Sequence, residues 1–221
     1  MEIKSGLSYD ELSHEAASVI ASQLVDKPAS NLALAWGSSP AGAYKVLAQC
    51  FQEGWAQAQV FKIDEYLGRS IGQELLQEQL LQHIDLKPGR CFCPSQVDRY
   101  DDLIDDAGGL DLLVLGFGRN GHIAACEPGT SFASMTHLVQ LAPETIEDNF
   151  AKYGEMLHSA RTMGLATMMK ARQVLLLISG DQKREAAQEA LLGQISEAIP
   201  ASILQRHGNL TVLCDFPLSI A

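Results

Sequence analysis

The side chains in this sequence that are most suited to catalysis follow one apolar run, residues 112–115. The run predicts a buried parallel strand. A glycine-rich turn comes directly after it and carries Asn120, His122 and Glu127. An imidazole can transfer protons near neutral pH, and ligands of open α/β sheets bind beyond the carboxyl ends of strands. These side chains are therefore candidates for a catalytic site, the alternative being a glycine turn around a buried, hydrogen-bonded histidine.

The glycines of this turn, Gly116, Gly118 and Gly121, match the spacing of a dinucleotide-binding fingerprint. That fingerprint needs a long helix after the turn, because the amides at the helix N-terminus bind the pyrophosphate. Pro128 interrupts the chain seven residues after Gly121, which is too soon for such a helix. The sequence therefore argues against dinucleotide binding.

A second polar turn, Gly37, Ser38 and Ser39, follows a predicted strand at residues 32–36. Ser39 suits the N-cap of a following helix, and Pro40 suits its first position. Free amides at a helix N-terminus, together with two hydroxyl groups, favour a phosphate site. An ordinary capped turn is the alternative. The P-loop lysine is absent, so the turn does not indicate nucleoside triphosphate hydrolysis.

Two further strand ends carry charged candidates. Asp64 follows a predicted strand at residues 60–63, where its carboxylate is a candidate base or a cap of the next turn. Lys183 falls in the first turn of a helix predicted after the strand at residues 173–178. A cation there opposes the helix dipole, which favours a nearby anion.

Composition limits the function classes. The chain has 221 residues and a net charge of −11, which argues against nucleic-acid binding because that affinity comes from Lys and Arg. No apolar run approaches the roughly 20 residues of a membrane span, and the N-terminus does not resemble a secretory signal. Five cysteines without C-x-x-C spacing favour a reduced, cytoplasmic protein without a metal site.

Strands that alternate with helices predict an α/β fold with a mostly parallel, doubly wound sheet. We expect one domain over residues 1–221, with strands also at residues 201–204 and 210–214. The polar segment at about residues 142–160 has little apolar periodicity, and we expect it to be a mobile lid over the site.

Several ordered blocks of sequence together resemble the glucosamine-6-phosphate and galactosamine-6-phosphate deaminase/isomerase family, to which 6-phosphogluconolactonases are distantly related. The resemblance implies a three-layer, Rossmann-like open sandwich. The blocks are LALAWGSSPAGAYKVL, VFKIDEYLG, GFGRNGHIAACEPGTSF, MGLATMMKARQVLLLISGDQKREAAQEAL and IPASILQRH.

The resemblance implies an enzyme that converts a 2-amino-2-deoxyhexose 6-phosphate into a ketose 6-phosphate and ammonia, without metal or cofactor. It also implies a monomer or a small homo-oligomer. The implied catalytic residues are Asp64, which takes the C2 proton, His122, which opens the sugar ring, and Glu127 and Asn120 beside it. The implied substrate-binding residues are Gly37, Ser38, Ser39, Gly118 and Lys183.

Two departures from the family pattern matter. Asn120 stands where glucosamine-6-phosphate deaminases commonly have Asp, and with residues 199–202 it resembles the galactosamine-6-phosphate branch. This resemblance implies that galactosamine 6-phosphate is favoured over glucosamine 6-phosphate as the substrate. A phosphate-binding arginine is missing near residues 149–152, and Lys152 or Arg161 is left as its replacement. A 6-phosphogluconolactonase-like hydrolase and a non-catalytic sugar-phosphate-binding protein remain the alternative functions.

Overall fold

The computed structural model of the chain describes residues 1–218, so the last three residues of the predicted domain lie outside it. The strands are β1 (Glu2–Lys4), β2 (Asn31–Leu34), β3 (Gln59–Lys62), β4 (Asp64–Tyr66), β5 (Cys91–Phe92), β6 (Leu112–Gly116), β7 (His137–Gln140), β8 (Ser159–Thr162), β9 (Gln173–Ile178) and β10 (Leu210–Cys214). The α-helices are α1 (Tyr9–Asp26), α2 (Ser38–Cys50), α3 (Ile71–Gln79), α4 (Tyr100–Asp106), α5 (Pro143–Tyr153), α6 (Leu165–Met168) and α7 (Arg184–Leu192). Short 3-10 helices span Leu81–His83, Asp181–Lys183 and Pro200–Arg206.

The strands form one large and one small sheet. The large sheet has the order β1-β10-β9-β6-β2-β3-β5, and every pair in it is parallel. The small sheet, β4-β8-β7, is antiparallel. The prediction of a mostly parallel α/β fold is confirmed. Because the central strands are parallel, the loops that follow β2, β3, β6 and β9 meet at one edge of the sheet.

Alternate residues of the central strands pack into two separate cores. Leu112 and Val114 of β6 pack with α1 and α2, whereas Leu113 and Leu115 pack with α4 and α7 on the other face. This alternation follows from the two-residue period of a strand whose faces are both covered. The architecture therefore has three layers, as the resemblance implied.

The prediction of a strand at residues 201–204 was wrong. The segment lies in the 3-10 helix Pro200–Arg206, which has proline in its first turn, a position that needs no N–H donor. The amide of Ala201 donates to the carbonyl of Gly121, so the helix packs behind the glycine-rich turn. The segment thus supports the site's loop rather than adding a strand to the sheet.

The polar segment at residues 142–160 contains α5, which ends at Gly154 in the left-handed conformation. Within residues 1–218, no helix is both long and apolar enough to cross a membrane.

Candidate active site

A cleft of about 350 Å³ opens at the carboxyl edge of the large sheet. This volume lies in the range of small-molecule sites. Seven of the nine predicted site residues line it: Gly37, Ser38, Ser39, Asp64, Gly118, His122 and Lys183. The other two, Asn120 and Glu127, lie behind His122 and act on it rather than on the cleft directly.

The polar turn after β2 forms one end of the cleft. Gly37 has φ +122°, a conformation that favours glycine, and it serves as the N-cap of α2. The prediction that Ser39 caps this helix was wrong, because Gly37 is the N-cap and the helix already begins at Ser38. Ser38 and Ser39 therefore lie in the first turn, where amide groups without helical partners can bind an anion.

Lys183 contacts this turn, and Lys152 lies near Lys183 in the cleft lining. The Nζ atom of Lys183 lies 3.3 Å from the Oγ atom of Ser39. Burial, reinforced by the charge of Lys152, lowers the pKa of Lys183 to about 8, and burial also lowers the pKa of Lys152. An anion bound between the two ammonium groups would relieve both effects. We call Gly37, Ser38, Ser39, Lys152 and Lys183 the anion cradle.

Arg161 does not lie at the cradle. Its guanidinium group donates to the backbone carbonyl of Asp98 (2.9 Å) and pairs with the Asp98 carboxylate (3.8 Å). Of the two cations left open as replacements for the family arginine, Lys152 is therefore the one that lines the cleft.

Asp64 is the buried acid of the cleft. It begins β4, separated from the end of β3 by the single residue Ile63, and the residue is 8% exposed. Burial raises its pKa to about 7, although a hydrogen bond from Trp36 acts in the opposite direction. A carboxylate with such a pKa can accept a carbon-bound proton and return it near neutral pH.

Three residues of the glycine-rich turn determine the state of the imidazole. The Asn120 amide nitrogen donates to Oε2 of Glu127 (2.9 Å), since a carboxylate can only accept. The Asn120 amide oxygen therefore accepts from Nδ1 of His122 (2.7 Å), which leaves Nε2 without a proton and available to the cleft. Burial lowers the pKa of His122 while Glu127 opposes this, so the ring is neutral near pH 7.

Gly118 is required by close packing. A Cβ atom at this position would lie 2.2 to 2.5 Å from three atoms of the His122 ring. The ring thus lies directly on the backbone of residue 118, and any side chain there would displace it. Gly118 lines the cleft and also fixes the position of the imidazole.

Helix α5 covers the cleft and supplies residues that the sequence did not identify as a site. Asp148 forms a two-pronged ion pair with Arg119 (2.8 and 2.9 Å), and Asn149 accepts a hydrogen bond from Tyr66 (2.8 Å). Thr145 also lines the cleft from this helix, as does Lys152, which the sequence had left as a candidate phosphate-binding cation. The spacing 145, 148, 149 and 152 is helical, and this polar period was the available signal.

The side chains of the cleft suit proton transfer beside an anion. It combines a buried acid, a neutral imidazole and two lysines. Within residues 1–218, no three His, Cys, Asp or Glu side chains are grouped to hold a metal ion.

Comparisons with known proteins agree with this chemistry. The family model for glucosamine-6-phosphate isomerases/6-phosphogluconolactonase matches residues 7–212. Glucosamine-6-phosphate deaminase from Lachnoclostridium phytofermentans is 37% identical, over 98% of this chain and 100% of the relative. Glucosamine-6-phosphate deaminase 1 from Bacillus subtilis is 39% identical, over 97% of each chain.

Solved structures include one similar in both sequence and fold and others similar in fold alone. A monomeric glucosamine-6-phosphate deaminase has a TM-score of 0.90 at 37% identity, over 97% of each chain. A 6-phosphogluconolactonase from Trypanosoma cruzi has a TM-score of 0.78 at 18% identity, over 96% of this chain and 93% of that one, and shares the fold alone. The chain therefore belongs to the glucosamine-6-phosphate isomerase/6-phosphogluconolactonase family, as an enzyme of its amino-sugar phosphate deaminase/isomerase group.

Proposed function

We propose that the protein converts 2-amino-2-deoxyhexose 6-phosphates into ketose 6-phosphate and ammonia. The observation that carries the proposal is that Asp64, His122 and the anion cradle line one cleft. In this arrangement the phosphate lies in the cradle and the reacting carbons lie between the acid and the imidazole. Binding of the remote phosphate supplies energy to orient these carbons.

The proposed reaction begins with ring opening. The unprotonated Nε2 of His122 takes the proton of the O1 hydroxyl and returns it to the ring oxygen, which releases the aldehyde. Nδ1 keeps its hydrogen, which stays bonded to the amide oxygen of Asn120. Glu127 stabilises the imidazolium that forms transiently. This shuttle needs a neutral imidazole, the form that burial of His122 favours.

Asp64 then transfers the proton that isomerisation requires. Its carboxylate takes the hydrogen from C2 while the substrate ammonium group gives a proton to O1, which yields an enolamine. Asp64 then delivers its proton to C1. Water adds to the resulting C2 iminium ion, and ammonia leaves to give the ketose. The pKa of Asp64, about 7, allows both the charged and the protonated form near neutral pH.

Lys152 and Lys183 are the proposed phosphate-binding cations. Both line the cleft, and burial lowers both pKa values, so a phosphate dianion nearby would raise the pKa of each lysine and favour its charged form. We further propose that α5, with its flanking residues 142–160, opens to admit the sugar. That motion would break the ion pairs of Asp148 with Arg119 and of Glu155 with Arg69, the hydrogen bond from Tyr66 to Asn149, and the contact of Tyr153 with Trp36.

The sugar epimer is the finest part of the proposal. The features that favour galactosamine 6-phosphate are Asn120 and residues 199–202, none of which lines the cleft. The similar relatives are named glucosamine-6-phosphate deaminases. We therefore propose glucosamine 6-phosphate as the preferred substrate and galactosamine 6-phosphate as the less preferred one. All five cysteines are free, and we place the enzyme in the reducing cytoplasm.

The test is a side-by-side assay of glucosamine 6-phosphate, galactosamine 6-phosphate and 6-phosphogluconolactone. We expect stoichiometric ammonia and ketose phosphate from the amino sugars, with the larger kcat/KM for the gluco epimer. A larger kcat/KM for the galacto epimer would reverse the epimer assignment alone. Lactone hydrolysis without ammonia release, or binding of both amino sugars without turnover, would overturn the proposed function.

A further inference from the structure

Trp36 contacts the general base proposed above and has no role in the reaction described so far. Its indole Nε1 lies 2.6 Å from Oδ1 of Asp64 and 3.3 Å from the Asp64 backbone carbonyl. Trp36 follows β2 and Asp64 begins β4, so the bond joins two separate strand ends at the cleft. Both residues line the cleft.

The indole is held in place from three sides. A Cβ atom on Gly72 of α3 would lie 2.6 Å from Nε1, so the helix backbone packs directly against the ring. The ring of Tyr66 meets the indole edge-on at 5.2 Å, and Tyr153 of α5 lies 6.3 Å away. The direction in which the N–H points is therefore fixed by packing.

The start of α3 is fixed in turn by a buried carboxylate. Glu65 accepts hydrogen bonds from the amides of Gly72 (3.0 Å) and Gln73 (2.8 Å) and forms an ion pair with Lys62. Lys62 is fully buried and Glu65 nearly so. Breaking such a pair would leave a buried charge uncompensated, which makes this anchor rigid.

The consequence concerns the two oxygens of Asp64. Oδ1 is occupied by the indole, while no hydrogen bond to Oδ2 is found among residues 1–218. We propose that Trp36 is a positioning residue that holds one oxygen of Asp64 and thereby directs the other at the C2 hydrogen. This proposal rests on the proposed function, since it assigns Trp36 to the same proton transfer.

The electrostatic surroundings of Asp64 agree with this role. The titratable and charged groups that face it are Lys62, Glu65 and Tyr66 from its own segment, Cys126 and His122 from the glycine-rich turn, and Tyr153 from α5. Burial raises the pKa of Asp64 and the indole bond lowers it. Loss of the N–H should therefore leave a base that ionises only at higher pH.

The first test is the ¹H–¹⁵N spectrum of the indole groups of the full chain, followed against pH. The chain has two tryptophans, and Trp55, whose N–H donates to the carbonyl of Phe51 (3.0 Å), is the internal control. We expect the Trp36 signal to titrate with a midpoint near the pKa of Asp64, about 7, and to stop titrating in Asp64→Asn. A Trp36 signal that does not change with pH in the wild-type protein would overturn the proposal.

The second test is kinetic and uses Trp36→Phe, with Trp55→Phe as the matched control. We expect kcat/KM at pH 6 to fall by about tenfold, because a hydrogen bond to a charged group is lost. The acidic limb of the pH profile should move to higher pH with little change in KM, and Trp55→Phe should leave the profile in place. An unshifted acidic limb in Trp36→Phe would contradict the assignment.

The two tests separate this proposal from the proposed function. If the Trp36 signal titrates with Asp64 but no amino-sugar phosphate is turned over, the positioning holds and the proposed function fails. If the enzyme releases ammonia while neither the signal nor the profile responds, the function holds and the positioning fails.

Discussion

Asp64→Asn should stabilise the fold while it abolishes the reaction. Asn has nearly the same shape as Asp and can still accept the hydrogen bond from Trp36, so the packing around residue 64 is kept. What changes is the charge that the folded protein must bury. Burial raises the pKa of Asp64 from 3.8 to about 7, which means that the folded state disfavours its ionised form.

The magnitude follows from linkage. A folded-state pKa above the unfolded value contributes stability that is fully present below pH 3.8 and is lost as pH rises through about 7. At 1.36 kcal/mol per pKa unit, the loss reaches about 4 kcal/mol by pH 8. Asn stays neutral throughout, so its advantage over Asp should grow by roughly 2.5 kcal/mol between pH 5 and pH 8.

The assay is urea unfolding of both proteins at pH 5, 6, 7 and 8. The control is Asp106→Asn, which removes the same charge from an exposed residue at the end of α4 that does not line the cleft. We expect the control to stay within about 0.5 kcal/mol of wild type. An Asp64→Asn protein whose stability relative to wild type does not rise with pH would refute the reasoning that Asp64 is a buried base of raised pKa.

Three further predictions concern the anion cradle and the imidazole. Lys152→Met should raise KM by about 10- to 100-fold with a smaller effect on kcat, through loss of a charged phosphate contact. In the same steady-state assay Arg161→Met should leave KM unchanged, and equal effects of the two would contradict the placement of the cation. Gly118→Ala should lower kcat by at least tenfold by displacing the His122 ring, whereas Gly208→Ala, which has open space around it and does not line the cleft, should retain activity. Inorganic phosphate should raise the Tm measured by calorimetry. The rise in Tm should be smaller above pH 8, because Lys183 of the cradle has a pKa of about 8 and loses its charge there. A phosphate-induced rise in Tm that stays constant from pH 7 to pH 9 would argue against Lys183 as a phosphate-binding cation.

The main features of the fold could be predicted from long apolar runs. The runs in β2, β3, β6 and β9 are buried on both faces, and each is followed by a polar turn. Because parallel strands end at one edge, residues far apart in sequence were expected at one site. The strands β1, β5 and β8 contain no apolar run of four residues and were missed. Without β8 the small antiparallel sheet was not predicted.

The site was predictable where the reactive side chains lie close together in the sequence. Asn120, His122 and Glu127 lie in one turn, and their hydrogen bonds are local. Trp36 was not predictable, because its contact with Asp64 depends on how two strand ends and α3 pack together. For the same reason sequence left Lys152 and Arg161 equivalent, whereas the structure separates them by the partners they contact.

The central claim is that Asp64 removes the C2 proton of an amino-sugar phosphate held in this cleft. The most direct measurement is NMR identification of the product formed from glucosamine 6-phosphate by the wild-type enzyme and by Asp64→Asn. We predict one equivalent each of ammonia and a ketose 6-phosphate, with the C2 hydrogen lost, for the wild type, and neither product for the variant. Ammonia release with the C2 hydrogen retained on an aldose, or normal turnover by Asp64→Asn, would contradict the claim.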